Sequence, residues 1–117
     1  MTHKTRILIL LSITLFLNAC APVDVAKPTD AETLMKKGAF VVDVRSQDEF
    51  DGGHLEGATL IPHTEIEQNL SKFPKDQKKP IVVYCRSGRR AEVAKELLES
   101  RGYTNVVNGG GYKDLKN

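Results

Sequence analysis

One segment constrains the fold more than any other: a run of strand-forming residues that ends in a cysteine and leads into a helix. The run is Ile81–Tyr84, the cysteine is Cys85, and Arg86-Ser87-Gly88-Arg89-Arg90 follow. Strand–loop–helix units of this kind build open α/β sheets, which bind ligands at the carboxyl ends of their strands. We therefore predict that Cys85 lies at that edge of a sheet.

The loop after Cys85 has the composition of an anion-binding seat. Its backbone N–H groups and the N-terminus of the following helix are positively polarised, and Arg86, Arg89 and Arg90 add positive charge. These features favour the thiolate, which is the reactive form of a cysteine. Most free cysteines are inert packing residues, but this loop favours a nucleophile that faces an anionic substrate.

Predicted strands and helices alternate along the rest of the chain. This order indicates an α/β fold with a small central parallel sheet flanked by helices and right-handed crossovers. Two capping boxes are predicted, at Thr29 with Glu32 and at Ser46 with Glu49. Further strands are predicted at 39–44, 59–61 and 105–107. One helix is predicted through Ile66, Leu70 and Phe73, and another at 89–100 with Val93, Ala94, Leu97 and Leu98 on its buried side. A short terminal segment at 112–115 is predicted to follow Gly109-Gly110-Gly111.

The first residues are typical of an export signal. Lys4 and Arg6 precede an apolar run at 7–17, which suits a signal peptide better than a membrane span. Leu17-Asn18-Ala19-Cys20 resembles a bacterial lipobox. We expect a signal peptide at 1–19, a lipidated Cys20, a tether at 20–28 and one domain at 29–117. Ordinary signal-peptidase cleavage and an uncleaved anchor are the alternatives.

Charge and cysteine content limit the partners of the processed chain. Removal of Lys4 and Arg6 leaves 15 basic and 15 acidic residues, which argues against nucleic-acid binding. If Cys20 carries lipid, Cys85 is the remaining thiol. No Cys/His spacing indicates a metal site, so we predict neither a metal nor a cofactor. We also predict that the protein is a monomer. Ala21 after the lipidated position favours the periplasmic face of the outer membrane in a bacterial envelope.

Four motifs occur in order along the chain: Val42-Asp43-Val44-Arg45, Gly53-His54-Leu55-Glu56-Gly57-Ala58, Tyr84-Cys85-Arg86-Ser87-Gly88-Arg89-Arg90, and Gly102-Tyr103-Thr104-Asn105-Val106 with Gly109-Gly110-Gly111-Tyr112. Together they resemble the single-domain rhodanese family of thiosulfate sulfurtransferases, especially its small periplasmic phage-shock-type members. The resemblance covers residues 29–115 and implies a rhodanese-like three-layer fold. Ala91 stands where the family often has serine or threonine, Glu56 replaces a frequent proline, and Tyr112 replaces a frequent tryptophan.

The resemblance implies sulfur transfer from thiosulfate through a Cys85 persulfide to a thiophilic acceptor. The amides of residues 86–90 would cradle the sulfur, with Arg86 and Arg90 the better candidates for anion contact. Asp43 and Arg45 are expected to pair at the same sheet edge, and His54 to support the site structurally.

Two other functions are compatible with this loop. One is a persulfide carrier or sulfur-sensing module that acts with a protein partner. The other is a phosphatase or arsenate reductase, which is disfavoured because those enzymes use C-x5-R and position 91 is alanine.

Overall fold

A computed structural model describes residues 28–116 of the chain. The predicted signal peptide, Cys20 and residues 20–27 of the predicted tether lie outside this range. Among the described residues, no helix has the length and apolar character needed to cross a membrane. The elements are α1 (Pro28–Lys36), β1 (Phe40–Asp43), α2 (Gln47–Asp51), β2 (Thr59–Leu60), two 3₁₀ helices (His63–Glu65 and Glu67–Lys72), β3 (Ile81–Cys85), α3 (Arg89–Ser100), β4 (Val106–Gly111) and α4 (Tyr112–Leu115).

The four strands form one parallel sheet in the order β2-β1-β3-β4. This architecture confirms the predicted α/β fold with a small parallel sheet between helices. Asp43 at the end of β1 is in register with Tyr84 of β3. Cys85 is in register with Gly111 of β4, after an irregularity in the pairing. The carboxyl ends of β1, β3 and β4 therefore meet around Cys85.

The central strand β3 is buried on both faces, as expected for a parallel sheet covered by helices. On one face, Val83 and Cys85 pack in a cluster with Ala94 and Leu98 of α3. On the other face, Tyr84 packs in a second cluster that includes residues of α1 and α4. Alternation along the strand thus directs the side chain of Cys85 towards the α3 side of the sheet.

Two predicted helix starts have different outcomes. The Ser46–Glu49 capping box at α2 is confirmed in full. The Thr29–Glu32 box is wrong, because α1 begins at Pro28 and places Thr29 inside its first turn. Proline suits the first helical position because its missing N–H has no partner there in any case.

Three further predictions need correction. The segment around Ile66 and Phe73 forms 3₁₀ helices rather than an α-helix, with Asn69 outside helical geometry. Val93 is 51% exposed, because the buried face of α3 follows Ala91, Ala94 and Leu98 at helical spacing. The glycines at 109–111 belong to β4, which is longer than predicted.

Candidate active site

Cys85 ends β3, and its sulfur accepts a hydrogen bond from the loop that follows. The backbone N–H of Gly88 donates to Cys85 Sγ over 2.9 Å. Gly88 has a φ of 94°, a left-handed conformation that glycine adopts without steric cost. The chain turns at Gly88 and α3 begins at Arg89. Cys85 is 1% exposed, so its side chain is buried beneath the loop that follows it.

The carboxyl end of β4 forms the floor of this loop. A Cβ atom on Gly111 would lie 2.5 Å from the backbone oxygen of Arg86, and one on Gly88 would lie 3.4 Å from the Cα of Gly110. Side chains at Gly111 would therefore displace the loop backbone. The glycines of β4 permit the close approach that places Gly88 over the sulfur.

The three arginines of the loop differ in their surroundings. Arg86 and Arg89 are exposed, as is Ser87. Arg90 makes two charge-assisted hydrogen bonds to Glu49, Nη1 to Oε1 at 2.7 Å and Nη2 to Oε2 at 2.9 Å. Glu49, and to a lesser extent Cys85, raises the pKa of Arg90. Arg90 is thus the loop arginine held between α2 and the sulfur.

Glu49 is a site residue that the sequence interpretation did not identify, since it treated this side chain as a capping residue alone. It does accept a hydrogen bond from the backbone of Ser46. The two bonds from Arg90, assisted by those from Ser46, lower the pKa of Glu49 to about 2. The sequence did contain a signal for this role, because Glu49 lies in a short helix, α2, that follows β1, and β1 ends beside β3.

Asp43, Arg45 and Tyr84 form a buried polar network on the other side of the sheet edge. Arg45 donates from Nε to Asp43 Oδ1 at 3.0 Å and from Nη2 to Oδ2 at 2.7 Å. Tyr84 donates its hydroxyl proton to Asp43 over 2.8 Å and accepts from the backbone of Leu55. Burial raises the pKa of Tyr84 above its ordinary value. No buried side-chain nitrogen or oxygen of this network lacks a hydrogen-bond partner, which is what a buried charge requires.

Arg45 also connects this network to neighbouring segments. Its Nη2 donates to the backbone oxygen of Gly53 over 2.7 Å. The guanidinium carbon lies 4.6 Å from the ring centre of Tyr112, within the range of a cation–π contact. The hydrogen bonds that Arg45 donates to Asp43 raise the pKa of Arg45. Arg45 therefore fixes three segments around the site.

His54 is exposed, and its recorded contacts are with Phe50. Its Nδ1 lies 2.9 Å from the backbone oxygen of Phe50, and the two rings stack 3.6 Å apart. These contacts tie the segment after α2 to that helix. They match the structural role expected for His54 and give it no contact with the sulfur.

A cleft of about 300 Å³ adjoins the Cys85 loop. Its cationic lining residues are Arg45, Arg86 and Lys113, and its acidic ones are Asp48 and Glu49. Asp43 pairs with Arg45 and Arg90 pairs with Glu49, which leaves Arg86 and Lys113 against Asp48, a net excess of one positive charge in the lining. Within residues 28–116 no group of three or more His, Cys, Asp or Glu could hold a metal ion; the absence of a metal stays a prediction.

Comparison with known proteins assigns this geometry to a family. The Rhodanese-like domain family matches residues 27–117. The chain is 38% identical over 74 residues to the thiosulfate sulfurtransferase PspE of Escherichia coli, covering 63% of this chain and 71% of PspE. It is 31% identical over 87 residues to the thiosulfate sulfurtransferase GlpE of Pseudomonas fluorescens, covering 74% of this chain and 78% of GlpE.

A solved structure agrees with these sequence relatives. A rhodanese with anions from E. coli superposes with a TM-score of 0.62 and 36% identity, over 66% of this chain and 91% of that one. Homologues of this kind support sulfur transfer as the general chemistry of the group. The strand-end cysteine, the glycine turn above it and these matches together show that the chain belongs to the rhodanese-like domain family.

Proposed function

We propose that the protein is a sulfurtransferase that moves sulfane sulfur from thiosulfate, or a related anionic donor, through a persulfide on Cys85 to a thiophilic acceptor. The observation that carries the proposal is the hydrogen bond from Gly88 N–H to Cys85 Sγ, made at a strand end where a helix N-terminus begins. A backbone donor aimed at a sulfur atom stabilises negative charge on that sulfur.

The reaction has two displacement steps on sulfur. The Cys85 thiolate attacks the outer sulfur of thiosulfate, a new S–S bond forms, and the S–S bond of thiosulfate breaks. Sulfite leaves with the electron pair of that bond, and the negative charge stays on the outer sulfur of the Cys85 persulfide. An acceptor nucleophile then takes the outer sulfur and regenerates the Cys85 thiolate. No net oxidation occurs, and no general base is needed.

Surrounding charges support an anionic donor. Arg90 faces the sulfur from the first turn of α3 and is held there by Glu49. Arg86 and Lys113 outweigh Asp48 in the adjoining cleft, and this excess of positive charge favours the approach of a dianion. The amides of residues 86–90, Ser87 included, remain candidates for contact with donor oxygens, with Gly88 assigned to the cysteine sulfur.

A sulfite-release assay tests the proposal. With thiosulfate and no acceptor, the wild-type protein should release one equivalent of sulfite per Cys85 and then stop. Addition of cyanide or a thiol should restart release. The Cys85→Ser variant, which keeps size and polarity, should release none. Equal release by wild type and variant, or none by either, would contradict the proposal.

The same assay separates a free-standing enzyme from a carrier. A carrier should give the stoichiometric release but slow turnover with cyanide, and faster transfer to a protein acceptor. The near-complete burial of Cys85 makes this comparison informative, because a covered sulfur could depend on a docked partner to open the loop.

We also propose that the mature protein is monomeric and is anchored by lipid on Cys20 to the periplasmic face of the bacterial envelope, with the outer membrane favoured. The basis is the lipobox-like segment Leu17–Cys20. Intact mass of the membrane fraction should show a chain that begins at a lipid-modified Cys20. A chain cut elsewhere, or a Cys20→Ala variant that stays in the membrane fraction, would contradict this assignment.

A further inference from the structure

A buried asparagine lies directly behind the residue that donates to the Cys85 sulfur. Asn108 is in β4 and is 0% exposed. Its Nδ2 donates to the backbone oxygen of Gly88 over 2.9 Å, and Gly88 is the residue whose N–H donates to Cys85 Sγ. Gly88 thus links the side chain of Asn108 to the sulfur of Cys85.

Both polar atoms of the Asn108 side chain, Nδ2 and Oδ1, form hydrogen bonds. Asn108 Nδ2 also donates to Glu92 Oε2 over 2.9 Å, and Asn108 Oδ1 accepts from the backbone N–H of Gly110 over 2.9 Å. Burying an amide without partners is costly, so this arrangement is strongly preferred over alternatives. The orientation of the amide is fixed at both ends.

Packing alone does not account for an asparagine at this position. Its neighbours Val106 and Val107 are apolar, and an apolar side chain would suit a buried strand better. The amide joins three elements instead: β4, the turn at Gly88 and the first turn of α3 through Glu92. Those three elements define the seat of the sulfur.

We propose that Asn108 is a positioning residue for sulfur transfer: by binding the Gly88 carbonyl it fixes the backbone conformation of Gly88, whose N–H points at the sulfur of Cys85. The inference rests on the proposed function of Cys85 and adds to it a residue with no contact to the sulfur. The Gly88 carbonyl also accepts the first intrahelical bond of α3, from Glu92 N–H. Asn108 therefore holds the Gly88–Arg89 peptide through a bond that the helix alone does not supply, and the φ and ψ angles of Gly88 relate that peptide to the one carrying the N–H.

The sharpest test separates an effect on the geometry of the Cys85 loop from an effect on the stability of the fold. In Asn108→Asp the carboxylate keeps the shape and still accepts from Gly110, but it faces the Gly88 oxygen and Glu92 with negative charge. Adding Glu92→Gln restores a donor to that carboxylate, while the Gly88 oxygen keeps the backbone donor from position 92 but still lacks the side-chain donor from position 108. The double variant should regain thermal stability but not the rate of persulfide formation.

Single-turnover persulfide formation is the readout, followed by intact mass after mixing with thiosulfate. We expect a fall of about tenfold to a hundredfold in the double variant, typical of lost outer-shell support and small misplacement. Val106→Ala, on the same strand but away from the loop, is the matched control and should keep the wild-type rate. A double variant that recovers rate and stability together would overturn the inference.

A second measurement needs no variant. In ¹H–¹⁵N spectra of the wild-type protein, the Gly88 amide and the side-chain amide of Asn108 should both shift when Cys85 becomes a persulfide. A shift of Gly88 with Asn108 unmoved would contradict coupling between them. If the wild-type protein gains no sulfur, the proposed function fails instead, and the rate of Cys85 alkylation in the same variants then decides the role of Asn108.

Discussion

Two ion pairs lie near the carboxyl edge of the sheet, and they differ in burial and in partners. Asp43–Arg45 is almost completely buried, with side-chain exposures of 0% and 6%. Arg90–Glu49 is about one-third exposed on each side. The first pair also forms hydrogen bonds with Tyr84 and with the backbone of Gly53, whereas the second lies beside Cys85.

This contrast distinguishes an ion pair that stabilises the fold from one that takes part in sulfur transfer. A buried pair whose buried polar atoms all have hydrogen-bond partners depends on both of its members, because removing one leaves the other charge unpaired in the core. A partly exposed pair contributes little to stability, yet it can hold a cation where an anionic reactant arrives. We therefore expect changes at the Asp43–Arg45 pair to affect folding and changes at the Arg90–Glu49 pair to affect sulfur transfer.

The largest expected effect comes from Asp43→Ala. It leaves Arg45 buried without its counter-charge, and the free energy of unfolding should fall by about 3–5 kcal/mol. Urea denaturation measures this loss, with Asp43→Asn as a variant that keeps shape and part of the hydrogen bonding. A loss below about 1 kcal/mol, the range of surface pairs, would erase the distinction between the two pairs.

Tyr84→Phe removes one hydroxyl from the same network. Asp43 loses a donor and the backbone N–H of Leu55 loses an acceptor, so unfolding should become easier by about 1–3 kcal/mol. Sulfur transfer at a temperature where the variant is folded should stay near the wild-type rate. A large kinetic defect in fully folded Tyr84→Phe would place this network in the chemistry.

Arg90→Gln should have the opposite profile. Removing the cation beside Cys85 should slow persulfide formation about tenfold, equivalent to about 1.4 kcal/mol, with little change in unfolding. Arg101→Gln is the matched control, because Arg101 forms an Arg–Glu pair with Glu67 that is 47% and 49% exposed and lies at the C-terminal end of α3, opposite the end at the Cys85 loop. Equal kinetic losses in both variants would show that Arg90 has no special role.

The smallest effect concerns acid stability. The pKa of Glu49 is lowered from 4.5 to about 2 in the folded protein, so its stabilising contribution is present above pH 4.5 and is lost as the pH falls towards 2. The contribution should be about 1 kcal/mol or less. The difference in unfolding free energy between wild type and Glu49→Gln should therefore shrink across that window, and a difference that grows with acid would contradict the assignment.

Local features of the site were predictable because they depend on neighbours in sequence. The end of β3, the turn at Gly88 and the start of α3 follow from a strand pattern, a glycine and a helical pattern placed in succession. Asp43 and Arg45 are two residues apart at a strand end, so their pairing also needs little more than local geometry.

The remaining contacts depend on how distant segments meet. Glu49 and Arg90 are 41 positions apart, and Asn108 and Gly88 are 20 apart. A capping motif explains Glu49 locally and conceals its second partner. The error at Val93 has the same origin, because an apolar residue beside the buried face of α3 cannot be distinguished from one within it until the neighbouring elements are placed.

The most direct test of the account is the intact mass of the protein after treatment with thiosulfate labelled in its outer sulfur. The account predicts that the wild-type chain gains one labelled sulfur atom, that a reductant removes it, and that Cys85→Ser gains none. A wild-type chain that gains no sulfur, or a Cys85→Ser chain that gains one, would contradict the claim that the Cys85 sulfur receives sulfur from the donor.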